Sequence, residues 1–216
     1  MKSYGQWCAL AKALDVVGER WSLLIVRELF DGPKRYTDLL DGVAGVSTDI
    51  LAKRLEDLEA DGIVERTTLP PPAASKVYEL TELGRGLAPA MAQLAKWGMQ
   101  LLGTREEDEA FRPHWLATGL SGLLRADRAR DVTLDIDFEV GQGAPVRIRV
   151  DRGRLQAIAR PDDDADLHVR ADLETLARLA DGTLRARDAL RDGVLELEGD
   201  DDAIALYTRL FPQPVA

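Results

Sequence analysis

Nine side chains between positions 35 and 76 have the chemistry needed to contact a nucleic-acid duplex. Cationic side chains pair with phosphates, hydroxyls at helix N-termini donate to phosphate oxygens, and an exposed aliphatic group fits a thymine methyl. The set comprises Arg35, Thr37, Ser47, Thr48, Ile50, Lys53, Arg54, Arg66 and Lys76. Each of them alone is more simply interpreted as a solvated surface residue. Their assignment therefore depends on the elements that position them.

The helix predicted between Ser47 and Gly62 carries most of this set. Ser47 and Thr48 can cap its first turn, and Gly62 suits the left-handed position that ends a helix. An apolar stripe at helical spacing comprises Leu51, Leu55 and Leu58. The opposite side carries Ile50 and Lys53, with Arg54 on the flank. This pattern predicts a short amphipathic helix that lies on a core and presents polar groups outward.

The neighbouring segments predict how that helix is held. Helices are expected over 7–17 and about 20–30, the second nearly apolar all round, and a short helix follows with Thr37 as its cap. After a glycine-containing turn and the helix 47–62, residues 63–68 and 76–80 alternate as strands around an exposed proline-rich tip at 70–75. Thr81 then caps a long helix over 82–102, whose wide apolar stripe suits a symmetric dimer seam. This order predicts a winged helix-turn-helix, with 47–62 as the recognition helix.

Several motifs in succession resemble the HxlR-type winged-helix transcription regulators of bacteria. They are a Cys before the first helix, the GERW turn, and the segments DGPKRYTDLL, LAKRLEDLEADGIVER and YELTELG, over roughly residues 5–103. The resemblance implies a homodimer that binds an inverted repeat in an operator. It also implies dimerisation through the N-terminal helix together with the helix 82–102.

Asp49 departs from this family pattern, which often has a basic or neutral residue at that position. A carboxylate on the exposed face repels phosphates. Asp49 therefore either accepts a hydrogen bond from a cytosine amino group or only supports the helix.

Cys8, the only cysteine, is a redox candidate. The resemblance implies that some family members sense oxidants or electrophiles through a cysteine near this position. A helix N-terminus could favour the thiolate, with Lys12 one turn on. The alternative is an inert thiol buried beside Trp7 and Trp21.

The charge of the chain divides unevenly. Residues 1–104 carry 12 Lys+Arg and 14 Asp+Glu, a net −2, whereas residues 105–216 carry 16 and 24, a net −8. Any phosphate contact must therefore come from a local patch, because the overall field is weak or repulsive. A composition break near residue 104 predicts two domains, at 1–104 and 113–216, with a charged linker at 105–112. The absence of a long apolar run, of a signal segment and of a second cysteine predicts a cytoplasmic protein without a membrane segment.

The second half predicts an α+β domain of about five strands, the clearest at 132–140 with strict alternation. The order strand, helix, helix, strand, helix over 167–211, punctuated by Asp-Gly pairs, resembles the sterol-carrier-protein-like fold over roughly residues 113–212. That resemblance implies an apolar cavity for a hydrophobic ligand between sheet and helices. A filled core that serves only dimerisation is the alternative, because the same apolar positions would line either.

The predicted fold class is thus α+β, a winged helix-turn-helix followed by a sterol-carrier-protein-like domain. No glycine-rich phosphate loop, metal-ligand cluster or nucleophile motif is present, so we expect neither an enzyme nor a cofactor. The predicted function is a regulator that binds operator DNA and responds to a hydrophobic small molecule. Two alternatives stay open: redox control through Cys8, and a lipid-binding protein whose winged helix is an interaction module.

Overall fold

The protein is described from a computed structural model that covers residues 3–72, 74–103, 105–106, 108–141, 145–158 and 163–212. The chain divides into two compact units, Met1–Pro89 and Ala90–Ala216. The linker predicted at 105–112 stays a prediction. No helix among the described residues has both the length and the apolar character required to span a membrane.

The first unit contains five helices and a two-stranded sheet within its described residues. They are α1 (Ala9–Val17), α2 (Ser22–Leu29), α3 (Tyr36–Gly42), α4 (Thr48–Ala60), β1 (Val64–Thr68), β2 (Lys76–Leu80) and α5 (Glu82–Arg85). Its core takes Ile25 and Val26 from α2, Leu39 from α3 and the predicted leucine stripe of α4, all buried. The burial of apolar side chains from three successive helices is what holds the helix-turn-helix together.

The caps of α3 and α4 differ in part from the prediction. Ser47 is the N-cap of α4, and its hydroxyl accepts from the Ile50 N–H at 3.4 Å, as predicted. Thr48 does not cap, because it is already the first residue of the helix. The prediction that Thr37 caps α3 was wrong: the helix begins at Tyr36, so its N-cap lies two residues earlier than predicted. Arg35 is the N-cap, and its N–H donates to the Asp38 carboxylate at 3.0 Å.

The hairpin after α4 has the predicted position. β1 and β2 pair antiparallel with Arg66 opposite Tyr78 and Thr68 opposite Lys76. Lys34, in the loop before α3, adds an isolated bridge to Tyr78. The wing is therefore fastened to the segment that leads into the helix-turn-helix.

The long helix predicted over 82–102 is broken into α5 and α6 (Ala88–Met99). Thr81 caps α5 as expected, accepting from the Gly84 N–H at 3.1 Å. Gly86 ends α5, and Pro89 has no N–H to continue the ladder, so it is tolerated only in the first turn of the next helix. Glycine and proline within four positions explain the break.

The second unit is built on a five-stranded sheet of order β5-β4-β3-β6-β7. Its elements after α6 are α7 (Trp115–Ser121), β3 (Thr133–Val140), β4 (Val146–Asp151), β5 (Arg154–Ile158), β6 (Leu167–Ala171), α8 (Leu173–Asp181), α9 (Ala186–Arg191), β7 (Leu195–Gly199) and α10 (Asp201–Leu210). β3 and β6 are parallel, and the other pairs are antiparallel. The prediction of an α+β layer with five strands is confirmed.

The two faces of this sheet differ in chemistry because strand side chains alternate. Leu134, Ile136 and Phe138 of β3 are buried in the core with apolar residues of α7, α9 and α10. The other face carries charges: Asp135 pairs with Arg149 at 2.6 Å, and Arg147 hydrogen-bonds to Asp137. Hydrogen bonding from Arg149 holds the pKa of Asp135 below its usual value.

Candidate nucleic-acid interface

The α3–turn–α4 segment is held by contacts at both ends of the turn. The Tyr36 hydroxyl of α3 donates to the Thr48 carbonyl of α4 at 2.7 Å. Gly42 allows close approach to α2, since a Cβ there would lie 2.5 Å from the buried Glu28 carboxylate. Gly45 has φ +83°, a conformation suited to glycine. The first turn of α4 is thereby fixed relative to α3.

The exposed side of α4 begins with polar and apolar groups rather than cations. Ser47, Thr48, Asp49 and Ile50 are all exposed, and Ile50 retains 44% of its surface. In a helix-turn-helix, the N-terminal residues of the second helix approach the base edges. This first turn is therefore the part of the unit most suited to reading a duplex.

Lys53 and Arg54 are adjacent in sequence but differ in environment. The Lys53 side chain is 57% exposed and contacts Asp57 at 2.9 Å and Glu56 at 3.3 Å. The hydrogen bonds it donates to these carboxylates raise its pKa, Asp57 having the largest effect, so it stays charged. The Arg54 side chain is only 18% exposed, with Asp57 at 3.0 Å and Glu19 at 3.6 Å. Lys53 is available to a phosphate, whereas Arg54 connects α4 to the turn before α2.

The remaining predicted residues lie on α3 and the wing. Arg35 and Thr37 are exposed at the start of α3, and Lys76 is exposed at the start of β2. Arg66 lies over the Tyr78 ring, 5.1 Å from its centroid, and 3.3 Å from Glu59. The structure thus places all nine predicted residues in one unit, and three of the cations, Lys53, Arg54 and Arg66, already contact acidic neighbours.

Sequence reasoning missed Tyr36 and Glu28. The helical spacing of Ile25, Glu28 and Leu29 places Glu28 on the buried side of α2, and that spacing was an available signal. Nothing in the sequence marks Tyr36 as the partner of a carbonyl 12 positions away.

Cys8 is exposed and is the N-cap of α1, with extended backbone. The alternative of a thiol buried beside Trp7 and Trp21 is therefore wrong for this chain, because Trp7 is itself fully exposed. Trp7, Cys8, Ala9 and Lys12 line a shallow depression. A thiol in that position is accessible to a reagent in solution.

The second unit has a surface groove that is lined by Glu139, Arg170, Glu196 and Val194, among others, and opens broadly to solvent. It lies at charged strand residues and not within the apolar core between sheet and helices. No group of side chains suited to a metal ion occurs in the described portion of the chain.

The two halves of the chain match two different protein families. The HxlR-like helix-turn-helix family model matches residues 16–106, and the SCP-2 sterol transfer family model matches residues 121–211. The chain is similar to the uncharacterised HTH-type transcriptional regulator YvaP of Bacillus subtilis, with 34% identity over 41% of this chain and 82% of the relative. It is also similar to the HTH-type transcriptional regulator YodB of the same organism, with 36% identity over 42% of this chain and 81% of the relative. The solved structure of reduced YodB aligns at 33% identity with a TM-score of 0.40, covering 47% of this chain and all of that chain.

Proposed function

The chain belongs to the HxlR-like helix-turn-helix family of transcription regulators, and from that premise we propose that it binds operator DNA as a homodimer. The observation that carries this proposal is the exposed first turn of α4, fixed to α3 by the Tyr36–Thr48 hydrogen bond. The first turn lies in the major groove. Lys53, Arg35 and Lys76 pair with phosphates on either side of it.

The homodimer rests on apolar surface that a lone chain exposes. Trp7, just before α1, is fully exposed, and Leu10 and Leu14 of α1 keep 68% and 41% of their accessible surface. On α6, Leu94 and Trp97 are exposed by 49% and 58%. Large apolar side chains on two amphipathic helices favour burial against a second copy. Because the helix predicted over 82–102 is divided, we assign the dimer contacts to α1 and to α6.

Selection of bound sequences from random duplexes tests the proposal. The purified protein at about 150 mM salt is expected to enrich an inverted repeat whose half-site centres lie about one helical turn apart. A library that stays random after repeated rounds would contradict DNA recognition. That result would favour the alternative in which the winged helix is only an interaction module of a lipid-binding protein.

The second domain is proposed to bind a hydrophobic small molecule that modulates DNA affinity, as its match to the SCP-2 sterol transfer family suggests. In α8 only Thr175 is fully buried, and the apolar side chains of that helix are partly exposed. Solvent extraction of purified protein followed by mass spectrometry tests this role. A recovered apolar compound that alters operator affinity supports it, and an empty extract with no response to added lipids counts against it.

Redox control through Cys8 is the second candidate, and the exposure of this thiol at the start of α1 favours it. Oxidation or alkylation there would change the surface proposed for dimerisation. Diamide takes up two hydrogens as the Cys8 thiols of two copies join in a disulfide, and this is expected to lower the operator affinity of the native chain and to leave a Cys8→Ser variant unaffected. Equal responses of the two proteins would exclude Cys8 as the sensor.

A further inference from the structure

Asp49 differs from the other carboxylates of α4. Glu56 and Asp57 are engaged by Lys53, and Glu59 by Arg66. In the described part of the chain, no cation lies within ion-pair distance of Asp49. Its side chain is exposed on the first turn of the helix. On a surface proposed to contact phosphates, a carboxylate without a cation opposes binding through charge repulsion.

The helix does not depend on Asp49 for its cap. Ser47 performs that role through the Ile50 N–H, and no described hydrogen bond joins the Asp49 carboxylate to the first turn. The Tyr36 hydroxyl fixes the backbone next to it by binding the Thr48 carbonyl at 2.7 Å. A side chain on a rigidly held turn can hydrogen-bond to a base with little loss of conformational entropy.

We infer that Asp49 is a specificity-determining residue that accepts a hydrogen bond from a cytosine amino group in each operator half-site, with Ile50 against the methyl group of a nearby thymine. This inference rests on the proposed function and names the base pair that α4 selects. A carboxylate only accepts hydrogen bonds. In the major groove cytosine presents one donor, its N4 amino group, whereas guanine presents two acceptors.

The other bases fit this turn less well. Adenine presents its N6 donor beside the N7 acceptor, which repels a carboxylate, and thymine presents an acceptor beside its methyl group. Lys53 does not neutralise the Asp49 carboxylate, since its ammonium group contacts Glu56 and Asp57 farther along the helix. The first turn of α4 therefore offers a cytosine-selective acceptor and an apolar contact.

Fluorescence anisotropy tests the inference by measuring how the protein binds the selected operator and variants in which one base pair is changed symmetrically in both half-sites. At one position the native chain is expected to prefer C·G by about fivefold per half-site, or about 25-fold when both half-sites change. Asp49→Asn has a donor and an acceptor that match adenine N6 and N7, so it should move the preference at that position to A·T. Asp49→Ala should abolish the preference there.

Glu56→Gln is the matched control, because it also removes one negative charge from the exposed side of α4. It should change the affinity for all variants alike and leave the preferred base pair unchanged. If Asp49→Asn behaves like Glu56→Gln, Asp49 acts only through its charge or the helix. That outcome overturns the inference and leaves the proposed function intact. The absence of any sequence-selective binding overturns both.

Discussion

Replacement of Lys53 and of Arg54 by alanine separates phosphate contact from structural support in α4. Both residues are cationic and contact Asp57, but the Lys53 side chain is 57% exposed and that of Arg54 is 18% exposed. Lys53→Ala is expected to weaken operator binding without changing the melting temperature. Arg54→Ala removes ion pairs to Asp57 and Glu19 and the packing of the side-chain stem, so it should destabilise the first unit by about 1 kcal/mol.

The operator affinity of Lys53→Ala is expected to depend less on salt than that of the native chain, because fewer counterions are released on binding. Each phosphate contact contributes about 0.9 to the slope of log affinity against log salt, so two Lys53 side chains in a dimer contribute about 1.8. Between 50 mM and 200 mM salt, the native complex should therefore lose about tenfold more affinity than the Lys53→Ala complex. Anisotropy titrations at four salt concentrations, with circular-dichroism melts of each protein, measure both quantities.

Arg187→Ala is the control for net charge, since this side chain is 73% exposed in the second unit. It should leave the salt slope unchanged. Parallel salt dependences for the native chain and Lys53→Ala would refute the phosphate contact. A stable Arg54→Ala variant with the larger change in slope would reverse the assignment of the two residues.

Three further substitutions test the packing and the electrostatics of the fold. Gly84→Ala places a Cβ 2.2 Å from the Ile63 carbonyl oxygen and should lower the free energy of unfolding by roughly 1–3 kcal/mol. Gly98→Ala in α6 places a Cβ with no atom within 4 Å and should raise the free energy of unfolding by about 1 kcal/mol. Urea unfolding measures both changes. Asp135 has a folded-state pKa below its unfolded value because Arg149 binds it, so its contribution is present above about pH 4 and is lost as the pH falls through the lower folded value. Urea midpoints between pH 3 and 6 should fall less steeply with acid for Asp135→Asn, and identical pH profiles would show that this pair does not contribute.

The elements that local pattern dictates were predictable from sequence. Ser47 and the leucine stripe define α4, because capping and apolar spacing act within a few residues. The strict alternation over 132–140 likewise predicted β3, and the family motifs placed all nine candidate residues in one unit. The break after α5 was missed because the apolar stripe continues across Gly86 and Pro89, which interrupt the backbone and not the pattern.

The features that depend on distant partners were not predictable in the same way. Arg54 stays a predicted DNA contact, but its 3.6 Å contact with Glu19, 35 positions earlier, has no signal in the spacing of α4. Arg147 of β4 is 3% exposed and lies 3.2 Å from Asp163 in the loop before β6, and no local pattern in the sequence indicates that pair. Only the folded chain brings such charges together.

The central claim is tested most directly by the number of protein copies on a selected operator duplex. Mass photometry at about 150 mM salt should show two protomers on that duplex, and no comparable complex on a shuffled duplex of equal length. Equal occupancy of the two duplexes, or a single protomer on the selected one, would contradict a homodimeric regulator that reads its operator through α4.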